Sequence, residues 1–412
     1  MPDERRPVLS VEEAREHILA AVRVLEPERV SLLEAGGRVL VEEVAADRDI
    51  PPLANSAMDG YAVRGADVAQ PPALLRVVGE VAAGHVSDVV IGPGDALRIM
   101  TGAPLPAGAD TVVRFEDTRQ DGDWVEVLNP YLTGKNARAA GEDVRAGQVV
   151  LEPGKVLRPQ EIGMLAAVGR TEAAVVRRPR VAIMATGDEV VSPDQSPCPG
   201  QIRDANSYIV AAQARRYGGL PLLLGVVRDE EALVREGMRE ALAQKADLII
   251  TSGGVSVGDF DLVKQALAAD GEMHFWSLNM KPGRPLAFGV IGPSTSSGRS
   301  VPLLGLPGNP VAAMISTELF ARPAILKMQG FADWPRPTVR ARLREPIVRK
   351  DGRRHYLRVR LVDTDAGYEA TLTGDQGSGI LQSLVQADGL AVIPEEVHRL
   401  PAGTYVTVIL LD

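Results

Sequence analysis

Apolar residues fall into two rhythms that take turns along this chain. A 3.6-residue rhythm follows Ser10 (Ala14, Ile18, Leu19, Val22), with Glu13 placed for a capping box, so the spacing predicts a first helix ended by Pro27. From about residue 48 to 141 the rhythm shortens to alternation cut by Gly and Pro, in LLRVVGEV, ALRIMTG, DTVVRFED and DWVEVLN. That texture predicts a small β domain. Between residues 180 and 329, unbroken apolar strands (VAIMAT, LPLLLGVV, DLIITS) alternate with helices expected at 206–217, 230–244 and 261–269. FWSLNM, LAFGVI and VPLLGL follow, then a long helix expected over 311–329, while PSTSSGRS (293–300) reads as a surface loop between strands. Apolar strands separated by helices predict a parallel sheet covered on both faces, whose ligands sit beyond the carboxyl ends of the strands. After Pro335 alternation returns in TVRARL, HYLRVRLV, YEATLT, LAVIP and YVTVILLD, which predicts a closing β domain. The fold class is therefore multidomain α/β plus β.

Composition narrows the function. A length of 412 residues suits about two to four domains. A net charge of −9 with 4% aromatic residues disfavours nucleic-acid binding, which needs a basic field and stacking rings. One cysteine, Cys198, excludes an internal disulfide, and five scattered histidines form no zinc-ligand spacing. No stretch approaches the ~20 apolar residues that span a bilayer, and MPDERRPVLS has no apolar run behind it, so a cytoplasmic protein is expected. An anionic ligand would have to be held by a few placed donors.

Four polar segments follow apolar strands in Gly-rich company. In TGDEV, adjacent Asp188 and Glu189 could hold Mg²⁺, which accepts one or two carboxylates with water and substrate oxygens; a helix or turn cap is the other reading. In TSGGVSVGDFD, Gly253, Gly254 and Gly258 let backbone N–H groups approach an anion, Ser252 and Ser256 add hydroxyls, and Asp259 and Asp261 open the next helix. This is neither a P-loop nor a dinucleotide fingerprint. In KPGRP, Lys281 and Arg284 flank a rigid turn and suit phosphate, with a solvated turn as the plain alternative. In LPGNP, Asn309 can cap a helix opened by Pro310, leaving a positive terminus at the same sheet edge. NSAMDGYAV with Asp59 and IMTGAPLPAGAD with Thr101, read alone, look like ordinary loops.

Taken together and in this order, PPLANSAMDGYAV, GEVAAG, RIMTGAPLPAGADTVV, the GED of 141–143, TGDE, TSGGVSVGDFD, KPGRP, LPGNP and GDQGSG (374–379) resemble the molybdopterin molybdenumtransferase family, which includes the E domain of gephyrin. The resemblance covers nearly the whole chain. It implies insertion of molybdate into adenylylated molybdopterin with Mg²⁺, releasing AMP. It also implies an elongated homodimer whose cleft lies between the α/β domain of one subunit and the β domain carrying Asp59 and Thr101 of the other. The implied division is a linking domain (27–47 and 144–178), an inserted β domain (48–143), an α/β molybdopterin-binding domain (8–26 and 179–330) and a C-terminal β domain (331–412). Other cofactor-synthesis enzymes and apo-molybdoenzymes are the implied partners.

By the same resemblance Asp188, Glu189 and Asp261 are expected at the metal, and Ser252, Gly253, Gly254, Ser256 and Asp259 along the substrate. Lys281, Arg284 and Asn309 are expected on phosphate or molybdate oxygens, and Asp59, Thr101 and Asp143 facing the cleft. Arg354 and Ser378 would complete an oxyanion site. Asp59, Thr101, Asp143, Glu189, Asp261 and Lys281 form the expected catalytic set. The chain departs from the family at FWSLNMKPGRP: Ser277 and Arg284 stand where many members have lysines. A molybdopterin adenylyltransferase would share the α/β domain, but the MDGYA and MTGAPLP segments weigh against it; a gephyrin-like scaffold would not need the acidic loops and Gly-rich turns.

Overall fold

The computed structural model of the chain describes residues 8–253, 271–291 and 300–411, without the side chains of Gly271, Glu272 and Phe275. It divides into two compact units, Met1–Glu28 with Val176–Asp412, and Arg29–Val175.

The first unit is built on a seven-stranded sheet. Its order is Val8–Leu9, Gly271–Leu278, Pro285–Ile291, Val301–Leu306, Leu248–Ser252, Arg180–Thr186, Leu220–Val227. The last four strands run parallel. Their central residues, Val181 to Met184 and Leu248 to Ile250, are fully buried, as unbroken apolar runs require. The expected parallel sheet is mixed at its other end, where Pro285–Ile291 is antiparallel to both its neighbours. The reason is connection length: a parallel return needs about a dozen residues or more, and neither the 279–284 turn nor the 292–300 segment is long enough.

The N-terminal helix is Val11–Ala20, with the reciprocal capping box in place: Ser10 N donates to Glu13 Oε2 at 2.8 Å and Glu13 N to Ser10 Oγ at 3.2 Å. It stops well before Pro27, which instead opens the strand Pro27–Ser31. Lys327 Nζ caps its end on the Leu19 carbonyl at 2.7 Å. The late helix is also not uniform. An α-helical Pro310–Ser316 and Arg322–Met328 are separated by a wider π turn over Thr317–Ala321. Pro323 has no N–H to give the preceding turn, and the widened turn accommodates it. The expected helix over 261–269 lies outside the described residues.

A second sheet of the same unit closes on itself. Arg354–Thr364, Gly367–Leu372, Thr338–Leu343, Tyr405–Leu410 and Gly389–Ile393 pair in that order, and the last also pairs with the first, giving a barrel around Leu343, Val359, Ala391 and Val408. Met280–Lys281 adds to its outside, parallel to Arg354 and His355. That pairing ties the KPGRP turn to the barrel.

In the Arg29–Val175 unit a six-stranded sheet runs Thr111–Arg114, Gly60–Val63, Asp95–Ile99, Ala73–Val81, Trp124–Val127, Thr118–Asp121. Alternation is visible in its burial: Tyr61 and Val63 enter one apolar cluster and Ala62 the opposite one. A further cluster packs Leu165 of the helix Pro159–Ala167 with Leu40 and Leu157. Among the described residues no helix is long and apolar enough to cross a membrane.

Candidate active site

A cavity of about 1090 Å³ opens between the 281–285 turn, the 307–309 segment and the barrel segments at 346–358 and 375–378. The pairing of Met280–Lys281 with Arg354–His355 forms one edge. The other is formed where Val311 N donates to the Ser378 carbonyl at 3.1 Å. This alters the expected open helix terminus, since one of its N–H groups is capped by the GDQGSG loop rather than left for a ligand. Asn309 holds the N-cap position without a side-chain cap bond and, with Ser378, lines the cavity.

The walls are strongly cationic, with Lys281, Arg284, Lys350, Arg353 and Arg358 set against Asp351 and Asp375. Asp351 ties several of these together. Its Oδ2 lies 3.6 Å from Lys281 Nζ and accepts from Arg353 Nη2 at 2.7 Å, and its Oδ1 meets His355 Nε2 at 2.7 Å. Partial burial opposes ionisation of Asp351, but the hydrogen bonds from His355 and Arg353 hold its carboxyl well below the usual range.

Of two arginines on the strand Arg354–Thr364, the expected one turns away from the cavity and an unexpected one lines it. Arg354, expected to complete the oxyanion site, is not among the cavity's lining residues. It is held between Glu12, 2.5 Å from its Nη1, and Glu395, 3.1 Å from its Nη2. Glu12 comes from the N-terminal helix, a pairing no local pattern reveals. Arg358, which the sequence reading missed, is fully buried and lines the cavity. Its Nε donates to Ser383 Oγ at 3.0 Å and its Nη2 to the carbonyls of Gly377 (2.9 Å) and Asp375 (3.2 Å), which fixes the GDQGSG loop. Its Nη1 has no partner among the described residues. Burial pulls the guanidinium down to about 10, with Asp375 opposing. The available signal was a charged residue inside the alternation of HYLRVRLV.

A second, smaller cavity of about 100 Å³ shares Gly308 with the first and is lined by Thr186, Glu189, Asn206, Ser252 and Gly253. Asn206, also missed, joins its walls: Nδ2 donates to Ser252 Oγ at 2.7 Å and to the Gly308 carbonyl at 2.6 Å. Gly253 has φ of 94°, and a Cβ there would sit 2.3 Å from the Thr186 carbonyl oxygen. Any side chain would close this corner. The Thr186 hydroxyl is buried without a partner among the described residues. Adjacent Asp188 and Glu189 diverge: Glu189 lines the cavity, whereas exposed Asp188 accepts weakly from Asp229 N at 3.4 Å. Gly254, Ser256, Asp259 and Asp261 lie outside the described residues. Among the described residues no group of three or more His, Cys, Asp or Glu could hold a metal. A carboxylate beside hydroxyls still fits Mg²⁺, which keeps several waters and takes its other ligands from phosphate oxygens.

In the Arg29–Val175 unit, two expected residues come together. Asp59 Oδ1 accepts from both the backbone N and the Oγ1 of Thr101, each at 2.7 Å, and these bonds, backbone first, hold its carboxyl below the usual range. Both residues are exposed. Asp143 is exposed as well; its backbone N donates to the Ile50 carbonyl at 3.0 Å, and its side chain makes no hydrogen bond or ion pair among the described residues. The two departures noted in the sequence also meet: Arg284 Nε donates to Ser277 Oγ at 2.8 Å.

Comparison with known proteins agrees with this arrangement. Residues 9–169 match the MoeA N-terminal region (domains I and II), residues 182–327 a probable molybdopterin binding domain, and residues 340–411 the MoeA C-terminal region (domain IV). A molybdopterin molybdenumtransferase of Nostoc sp. is 40% identical over 395 residues, covering 94% of this chain and 89% of its own. Molybdopterin molybdenumtransferase 2 of Mycobacterium tuberculosis is 37% identical over 409 residues, covering 97% and 98%. Among solved structures, the molybdopterin biosynthesis MoeA protein of Pyrococcus horikoshii superposes with a TM-score of 0.80 at 31% identity, covering 98% of this chain and 100% of that one. With 94% and 97% of its length matched by these two relatives, the chain belongs to the molybdopterin molybdenumtransferase family.

Proposed function

We propose that the chain is a transferase that inserts molybdate into adenylylated molybdopterin and releases AMP in a Mg²⁺-dependent reaction. The observation that carries this reading is the pair of cavities sharing Gly308, one walled by cations and the other by a carboxylate and hydroxyls. Two anions must be brought together, and the dithiolene sulfurs that receive the metal belong to the substrate, so no protein nucleophile is required. Lys281, Arg284 and the unpaired Nη1 of Arg358 supply donors for tetrahedral oxyanions. Glu189 and Ser252 would hold the divalent ion, which when bound neutralises charge on the pyrophosphate being cleaved. An acidic protein binds such ligands because its basic groups are concentrated at one site.

The reading extends to a cytoplasmic homodimer of four-domain subunits, with Asp59, Thr101 and Asp143 of one subunit completing the cleft of the other. Other cofactor-synthesis enzymes and apo-molybdoenzymes would be its partners, and tungstate could replace molybdate. The purified protein incubated with adenylylated molybdopterin, Mg²⁺ and molybdate should yield AMP and a cofactor that restores an apo-molybdoenzyme. Adenylylation of bare molybdopterin by ATP instead would identify an adenylyltransferase and overturn the proposal. Light scattering tests the dimer, and a fully active monomer would remove the shared cleft.

A further inference from the structure

Arg284 sits on the short return between two antiparallel strands, where a long side chain facing a wide cavity would ordinarily sample many rotamers. It is instead held at both ends. Its carbonyl accepts from Leu278 N at 2.6 Å, and its Nε donates to Ser277 Oγ at 2.8 Å. Arg Nε can only donate, so the serine oxygen must be the acceptor and the assignment is unambiguous. Ser277 is 8% exposed, lies within the strand Gly271–Leu278 opposite Pro285, and does not line the cavity, whereas Arg284 does. The contact occupies Nε and leaves Nη1 and Nη2 without partners among the described residues.

From this geometry we propose that Ser277 is a positioning residue that fixes the Arg284 guanidinium so that its two Nη groups present a preset fork to a tetrahedral oxyanion in the large cavity. The inference rests on the molybdate-insertion reading and adds to it a residue that never touches the ligand. A free arginine must be ordered when the oxyanion binds, whereas this one is ordered beforehand, so the ordering cost does not fall on binding. Lysine at 284 would keep the charge but lose both the Nε contact and the planar fork. Ser277 should therefore matter only when arginine occupies position 284.

The test is a double-mutant cycle on the full-length protein with Ser277→Ala, Arg284→Lys and both together, read in two ways. Calorimetric titration with inorganic molybdate, and separately with AMP, reports binding without turnover; steady-state assays separate KM from kcat. Ser277→Ala should weaken molybdate binding and raise its KM by about 5-fold with kcat within about 2-fold. Ser277→Thr, which keeps the hydroxyl, should restore both. Adding Ser277→Ala to Arg284→Lys should change nothing further. A shift confined to AMP would place the fork on the substrate phosphate rather than molybdate, keeping the positioning role. A silent Ser277→Ala, effects that add across the cycle, or threonine behaving like alanine would overturn the inference. If molybdate binding follows the cycle but no cofactor forms, the proposed function fails and the positioning role stands.

Discussion

The two cavities that share Gly308 are built on opposite principles. The larger draws its groups from four distant segments, is dominated by fixed cations, and already contains a counter-anion in Asp351. The smaller is assembled at the carboxyl ends of neighbouring parallel strands from backbone, hydroxyls and Glu189. One suits oxyanions and the other a hard cation with the oxygens it carries. On the proposed reading, placing the charged groups in separate compartments would let an acidic chain assemble an anionic substrate, an oxyanion and a divalent ion within reach of each other.

Four measurements would break or sharpen that division. Arg358→Met removes the unpaired buried donor and one anchor of the GDQGSG loop, and cofactor formation should fall by about 100-fold or more in kcat/KM. Retention of a tenth of the activity would remove Arg358 from the oxyanion wall. Glu189→Gln should raise the Mg²⁺ concentration for half-maximal rate by about 10-fold while leaving molybdate binding within about 2-fold. Equal losses in both would merge the two compartments into one. Asp351→Asn frees Lys281 and Arg353 from their internal partner, so molybdate affinity should increase by about 3-fold at low salt and by less as salt screens the site.

The smallest effect is a control outside both cavities. Hydrogen bonds from Tyr131 and Arg114, with burial opposing, hold the Asp117 carboxyl at about 2. Its folded pKa lies below the unfolded value of about 3.9, so the unfolded state takes up the proton first. The stability it contributes is present above about pH 4 and is lost as pH falls toward about 2. The urea midpoint of the wild type should therefore drop across that window. In Asp117→Asn the drop should be shallower, with molybdate and Mg²⁺ responses unchanged at neutral pH.

Local signals were legible where the physics is local. The Ser10 and Glu13 capping box, the buried runs at 181–186 and 248–252, and the alternation of Trp124–Val127 follow from side-chain pattern alone, whereas Gly60–Val63, which reads as part of an ordinary loop, is a strand with all four residues buried. Strand direction was not legible at 285–291, because an apolar strand reads alike in either direction and only the short connections reverse it. The Pro323 region looked like continuous helix because its neighbours keep helical periodicity through the π turn.

For the candidate site, sequence by itself determined the chemistry available: Lys281 and Arg284 at one turn, Asp188 and Glu189 at another, and Gly-rich strand ends between them. Tertiary structure decided which of those groups remain available. Glu12 removes Arg354 from the cavity and Asp351 engages Lys281, while burial leaves Nη1 of Arg358 without a partner among the described residues and Ser277 holds Arg284 in place. The reason is that a charge's role depends on its partners and its solvent. Those partners lie anywhere from 7 to 342 residues away along the chain and a few ångströms away in space.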